Sequence, residues 1–167
     1  MLTAPPARQS CSPQGHAPRE MFMDNSQDRL ELDSRLTELS RVQLWIDAVA
    51  DRHGVSADAR FPMQLCMEEA LANVVLHGYH EEPGHSIVLW STAAEGTLFF
   101  AIDDQAPPFD PLDPGAQNAP VGPASLDSIQ PGGNGLRLLR RFAGSLAYER
   151  LSNGNRLTIG FSIPTLK

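Results

Sequence analysis

Glu69 and Asn73 stand four residues apart in the segment Glu68-Glu69-Ala70-Leu71-Ala72-Asn73-Val74-Val75-Leu76-His77-Gly78-Tyr79. Leu65, Ala72 and Leu76 recur at helical spacing, so the segment reads as an amphipathic helix. Four residues make about one turn, which sets the carboxylate and the amide side by side on one face. Such a pair suits a hard cation together with a polarised hydroxyl or water. Taken alone, a solvated helix face explains it equally well. His77 lies a further turn along the same face, open either to a ligand or proton-relay role or to pairing with the helix C-terminus.

Two other clusters carry chemistry. Asp104 ends an apolar run and is followed by Gln105-Ala106-Pro107-Pro108-Phe109. A carboxylate at a strand's edge can accept a hydrogen bond from an exocyclic amine such as adenine's, although a turn-forming aspartate beside prolines is the plainer reading. Asp103 competes with it for the role. Gly132-Gly133-Asn134-Gly135-Leu136 then opens an apolar-periodic stretch. Glycines at a helix start let backbone N–H groups close on an anion that the helix dipole favours. A loop hinge would use the same residues.

The elements that position these groups follow from periodicity. Residues 1–26 are rich in Pro, Ser, Gln and Gly and read as a flexible leader. Arg29 to Asp33 alternates like a short strand, and Ser34 is placed to cap a helix with the stripe Leu36, Leu39, Val42, Ile46 and Val49, ending near Gly54. A second helix approaches through Ser56 and Asp58, tolerates Pro62 in its first turn and runs to about Gly78. Strands over 86–91 and 97–102 pair around Glu95-Gly96. Residues 107–131 hold seven prolines and read as a lid or loop. A helix to about Gly144 and a closing hairpin (146–151 and 156–163) around Asn153-Gly154 complete the chain. Helices grouped beside hairpin-linked strands predict an α+β two-layer sandwich over residues 27–167, with a mixed, mostly antiparallel sheet and helices on one face.

Composition excludes several classes. The chain has 167 residues, a formal net charge of −7 and 41% apolar residues, so one domain with a real core is expected and a nucleic-acid surface is not. Lys167 is the only lysine and no GxxxxGK[ST] run occurs, which rules out a P-loop. Cys11 and Cys66 form no disulfide or metal pattern, pointing to a reducing, cytoplasmic setting. No apolar run approaches the roughly 18 residues of a membrane span, and the first residues lack a secretory apolar region.

Taken in order and spacing, the three clusters resemble the GHKL, or Bergerat-fold, ATPase superfamily. Glu69 to Asn73 matches its N-box, Asp104 its first glycine-box aspartate, and Gly132 to Leu136 its second glycine box. The compact length, Pro107 to Pro111 and Asn155-Arg156-Leu157-Thr158 look most like the anti-sigma-factor serine/threonine kinases, over roughly residues 28–163. The resemblance implies ATP and Mg²⁺ as cofactors, with Asn73 a metal ligand and Glu69 the general base. It implies that Asp104 binds the adenine amine, that Gly132, Gly133 and Gly135 hold phosphates, and that Thr158 supports the adenine end. His77, Ala106, Phe109 and Leu136 fall in the same implied nucleotide site.

The family further implies a partner switch between a sigma factor and a STAS-domain anti-sigma-factor antagonist, the antagonist being phosphorylated on Ser or Thr. A homodimer formed through the first strand and helix is implied too. One departure stands out: where the family reads Asp-x-Gly, this chain has Asp104-Gln105-Ala106. Alanine adds a methyl and disfavours positive φ, which predicts weaker ATP binding. A nucleotide-binding anti-sigma protein with weak or no kinase activity is the alternative reading. A sensor histidine kinase is disfavoured, because only about 30 tail-like residues precede the first strand; a gyrase-like or chaperone-like ATPase is disfavoured because little chain remains for a transducer domain.

Overall fold

Why the two long helices lie on one face of the sheet follows from which side chains each element must hide. The computed structural model describes residues 28–113 and 135–163. Strand β1 (Arg29–Asp33) leads through a 3₁₀ turn (Leu36–Glu38) into α1 (Leu39–Arg52), then α2 (Ala57–Asn73) and a π-helical turn (Val74–Gly78). Strands β2 (Ser86–Ala94) and β3 (Thr97–Asp104) follow, and after the undescribed residues come α3 (Gly135–Phe142), β4 (Ser145–Leu151) and β5 (Gly154–Ser162). The leader and most of the expected lid lie outside the described residues, as do Gly132 and Gly133.

The sheet order is β1-β2-β3-β5-β4. Alternate residues of each strand enter the core: Leu32, Ile87, Leu89, Leu98, Phe100, Ile102, Ile159 and Phe161 meet Val42, Ile46 and Val49 of α1 and Met63, Met67 and Leu71 of α2. Each such burial contributes about 1.5–3 kcal/mol. Trp45 meets Phe100 edge-to-face at 5.7 Å. The expected two-layer α+β sandwich is what forms.

Four local expectations need correction. Every strand pair described is antiparallel, so the sheet is not mixed among the described residues; the two hairpins β2–β3 and β4–β5 and the longer connections β1–β2 and β3–β4 give no parallel rung. The buried residues of α2 are Met63, Cys66, Met67, Ala70, Leu71 and Ala72; of the expected stripe only Ala72 is among them, Leu65 and Leu76 being half-buried, because the helix meets the sheet and the neighbouring helices along the line of Met63, Cys66, Met67 and Ala70. Pro62 sits inside the helix rather than in its first turn, since α2 already begins at Ala57. Ser34 caps nothing. Its buried hydroxyl donates to Glu82 O at 2.5 Å and accepts from His85 N, pinning the link into β2 instead.

The α2 helix also changes pitch where Gly78 was expected to end it. Tyr79 N–H bonds to Val74 O at 3.0 Å and Glu81 N–H to Val75 O at 2.9 Å, spacings wider than the α-helical one. A π turn of this kind re-aims the side chains after Asn73, and such turns recur at functional sites.

The β4–β5 turn meets the end of β3 as well. Gly154 has φ +146°, and a Cβ placed there would lie 1.9 Å from Asp104 O. Gly154→Ala should therefore cost about 2–4 kcal/mol in urea unfolding, from backbone strain plus displacement of the β3 terminus. A loss below about 0.5 kcal/mol would show that the hairpin does not rest on β3.

Candidate functional site

Strand parity at the end of β3 decides between the two adjacent aspartates. Asp103 points to the outer face, where Arg156 Nε and Nη2 each bond its carboxylate at 2.6 Å and Trp90 Nε1 donates at 3.0 Å. That pairing raises the Arg156 pKa and satisfies the Asp103 charge. Asp104 points to the helical face and is 8% exposed. Its Oδ1 accepts from Ala106 N at 2.8 Å and Asn155 Nδ2 at 2.8 Å, and Oδ2 accepts no hydrogen bond among the described residues. Burial pushes the Asp104 pKa up, with the Asn155 and Ala106 hydrogen bonds opposing. A buried carboxylate with one oxygen uncommitted suits a neutral N–H donor.

Asp104 lines a cavity of about 230 Å³ between the helices and the sheet's end. Asn73, His77 and Gly78 form its helical wall, Ala106 and Phe109 its lid side, and Tyr148 and Asn155 its hairpin side. Phe109 is 53% exposed, so it rims the cavity. Gly78 and Ala106 are matched: a Cβ on Gly78 would fall 2.8 Å from the Ala106 methyl. Ala106 does not have positive φ, so the strain expected of alanine here does not arise. Tyr79 fixes the same segment, its hydroxyl accepting from Gln105 N at 2.7 Å.

Asn73 marks the opposite end. Its Oδ1 is buried and has no hydrogen-bond partner among the described residues. Beside it, Gly135 opens α3 so closely that a Cβ there would lie 3.0 Å from Glu69 Oε2 and 3.1 Å from Asn73 Nδ2. Burial, then the neighbouring Glu68 charge, raises the Glu69 pKa. The arrangement therefore joins a carboxylate shifted toward proton acceptance, an orphaned amide oxygen and a helix N-terminus. An unpaired oxygen of this kind fits a hard cation. No group of three or more His, Cys, Asp or Glu able to hold a metal occurs among the described residues.

Of the residues expected in the site, Asn73, His77, Asp104, Ala106 and Phe109 line the cavity, while Glu69 and Gly135 meet beside Asn73. Leu136 packs partly buried against the core next to Gly135. Thr158 is not brought in. It pairs with Ala101 and Ala147, one residue out of phase with the cavity-lining Leu157, which puts it on the outer face. Asn155 takes the supporting position instead, directly opposite Asp104 in the β3–β5 register. Its Nδ2 also donates to Ala106 O at 3.1 Å, and its Oδ1 accepts from Tyr148 Oη at 2.7 Å and Arg150 Nη1 at 2.9 Å. Counting back in steps of two from the apolar Ile159 and Leu157 could have located it.

Residues 32–161 match the histidine kinase-like ATPase domain family. The chain belongs to that family. A relative, the serine/threonine-protein kinase BtrW of Bordetella bronchiseptica, is 38% identical over 141 residues, 82% of this chain and 94% of the relative. Solved structures are more remote. The histidine kinase domain of the Erythrobacter litoralis EL346 blue-light activated kinase is 16% identical with TM-score 0.45, covering 77% of this chain and 60% of that one. The Acinetobacter baumannii histidine kinase AdeS is 12% identical with TM-score 0.43, covering 81% and 68%.

A raised carboxyl pKa makes ionised Asp104 a stability cost at neutral pH, relieved as pH falls through the folded value toward the unfolded one near about 3.9. Asp104→Asn keeps the Oδ1 acceptor and removes the charge. Its urea midpoint should equal or exceed that of the parent at about pH 7, with the advantage shrinking toward about pH 4. A variant clearly less stable at neutral pH would contradict this account of the carboxylate.

Proposed function

We propose that this chain is an ATP-dependent protein serine/threonine kinase whose nucleotide lies with its base against Asp104 and its phosphates toward Asn73 and Glu69. The orphaned, buried Asn73 Oδ1 beside Glu69 carries the reading, because an acceptor left unpaired costs about 1–3 kcal/mol unless a ligand claims it. Membership of an ATPase family and likeness to a named serine/threonine-protein kinase support it.

Asp104 Oδ2 accepts the exocyclic amine of adenine. Ala106, Phe109 and Tyr148 enclose the ring, and His77 stands on the helical wall between base and phosphates. Asn73 Oδ1 would ligate Mg²⁺, which when bound supplies charge neutralisation at the phosphates. Gly135, with Gly132 and Gly133 ahead of it, lets backbone N–H groups approach those oxygens without a side chain between. Glu69 takes the proton from the acceptor hydroxyl as it attacks the γ-phosphorus, and its raised pKa suits that task. ADP leaves. The protein's contribution is position and charge, with little covalent work.

The phosphoacceptor in this proposal is a STAS-domain antagonist protein, and the competing partner is a sigma factor, in the cytoplasm. Self-association through β1 and α1 belongs to the same reading; β1 is an edge strand, paired on one side only among the described residues. No helix described is long and apolar enough to cross a membrane.

Transfer of ³²P from γ-labelled ATP to candidate STAS-domain proteins of the same source tests the proposal. Asn73→Ala should abolish labelling, and Glu69→Gln should lower kcat roughly 10²–10⁴-fold while ATP affinity holds. Undiminished labelling in Asn73→Ala sinks the metal assignment. Tight ATP binding by the parent with no labelling of any candidate favours the anti-sigma module without kinase activity.

A further inference from the structure

The arginines are not distributed like the rest of the surface. Among the described residues Arg29, Arg35, Arg41, Arg52, Arg60 and Arg156 each pair with a carboxylate. Arg150 bonds Asn155 and the Ala106 carbonyl. Arg137, Arg140 and Arg141 have no hydrogen bond or ion pair among the described residues, and all three are exposed on α3. Arg141 only approaches the Phe142 ring, at 5.5 Å. With 20 acidic against 13 basic residues, carboxylates are in surplus, so three unpaired cations on one short helix stand against the composition.

Their spacing of three and four residues puts them on one helical face, opposite Leu139, which is fully buried. Arg140 and Arg141 lie in the last turn, where the helix dipole favours a cation. The dipole does not explain Arg137, which stands in the first turn, where a cation is disfavoured. Position offers a reason. Gly135, the first residue of α3, faces Glu69 and Asn73, and the arginines stand on the opposite, exposed side of the same short helix, about one helix diameter (about 10 Å) across from that contact.

We propose that Arg137, Arg140 and Arg141 form a docking face for an acidic surface of the phosphoacceptor protein, holding its hydroxyl-bearing segment beside Glu69. The identity of the occupant rests on the kinase reading above; the cationic face does not. Charge complementarity fixes the occupant's sign. The chain's net charge of −7 repels an acidic partner elsewhere, so the face sets orientation as well as attraction. Screening over about 10 Å at 0.1 M salt leaves the local patch effective against the distant surplus.

Poly-L-glutamate serves as the probe, titrated at low salt by fluorescence anisotropy. The parent should bind it with an affinity that falls as salt rises, and R137E/R140E/R141E should lose at least about tenfold. The triple lysine variant should retain binding, and ATP affinity should stay unchanged in both. With a labelled acceptor, the triple glutamate variant should raise KM about tenfold and leave kcat at saturation intact. Equal binding by the glutamate variant, or no binding by the parent, overturns the docking face. Lost ATP affinity overturns it too, by assigning the arginines to the nucleotide. Duplex DNA bound as tightly as poly-L-glutamate overturns it as a general polyanion surface. Asn73→Ala should still bind the probe, and a parent that binds the probe but labels no protein sinks the kinase reading alone.

Discussion

The rung that joins Asp104 to Asn155 at the end of the β3–β5 ladder is the constraint on which the site depends. A carboxylate buried to 8% exposure loses most of its hydration, and burial alone would drive it neutral or outward. Asn155 prevents this with one amide. Its Nδ2 holds Asp104 and the Ala106 carbonyl, while its Oδ1 is held by Tyr148 and Arg150. Both ends of the amide are therefore committed, and it cannot rotate without leaving several buried polar groups unpaired. Gly154 makes the rung possible, since any side chain there would strike the Asp104 carbonyl.

From that rung the rest of the cavity can be followed outward. Ala106 is fixed through both its N–H and its carbonyl, so its methyl has one place to go, against the hydrogen-only face of Gly78. Gly78 is available there because α2 loosens into a π turn after Asn73, which carries the wall of the cavity past the end of β3. The room for the Ala106 methyl is thus supplied from the helix, by the missing side chain of Gly78.

Much of this was legible in the sequence, and the misses have physical causes. Hairpin strands and the pairing of Glu69 with Asn73 follow from short-range spacing, which a chain cannot hide, whereas the approach of Gly135, far off in sequence, was implied only by the resemblance. Thr158 was placed by the resemblance alone; a single step along a strand reverses the face, and the register that sets Asn155 opposite Asp104 turns Thr158 outward. Asn155 carried part of the resemblance but no role of its own, because an asparagine after Asn-Gly reads as more turn. Of the stripe Leu65, Ala72 and Leu76 only Ala72 is buried, for a different reason: α2 carries apolar residues around much of its circumference, so periodicity alone does not say which side meets the sheet. The choice between Asp103 and Asp104 needed Arg156, whose partner lies across the sheet and far off in sequence.

The two ends of the cavity differ in how much is left open. At the Asp104 end the Asn155 amide and the Ala106 backbone are held before any ligand arrives, which is how a site holds geometry for recognition, and only Oδ2 of a carboxylate raised in pKa waits for a donor. At the Asn73 end an amide oxygen is orphaned and a carboxylate is shifted toward protonation, which stores unfavourable free energy until a ligand offsets it. A ligand spanning both ends gains little new order at the first and relieves a defect at the second. Its binding must then stabilise the fold, by an amount set by ligand concentration relative to its dissociation constant. The hydrophobic layer under α1 and α2 makes this division tolerable, since burial of Phe100, Met63, Met67 and their neighbours contributes far more than one unpaired oxygen costs. A core of that size lets the phosphate end stay unsatisfied without unfolding it.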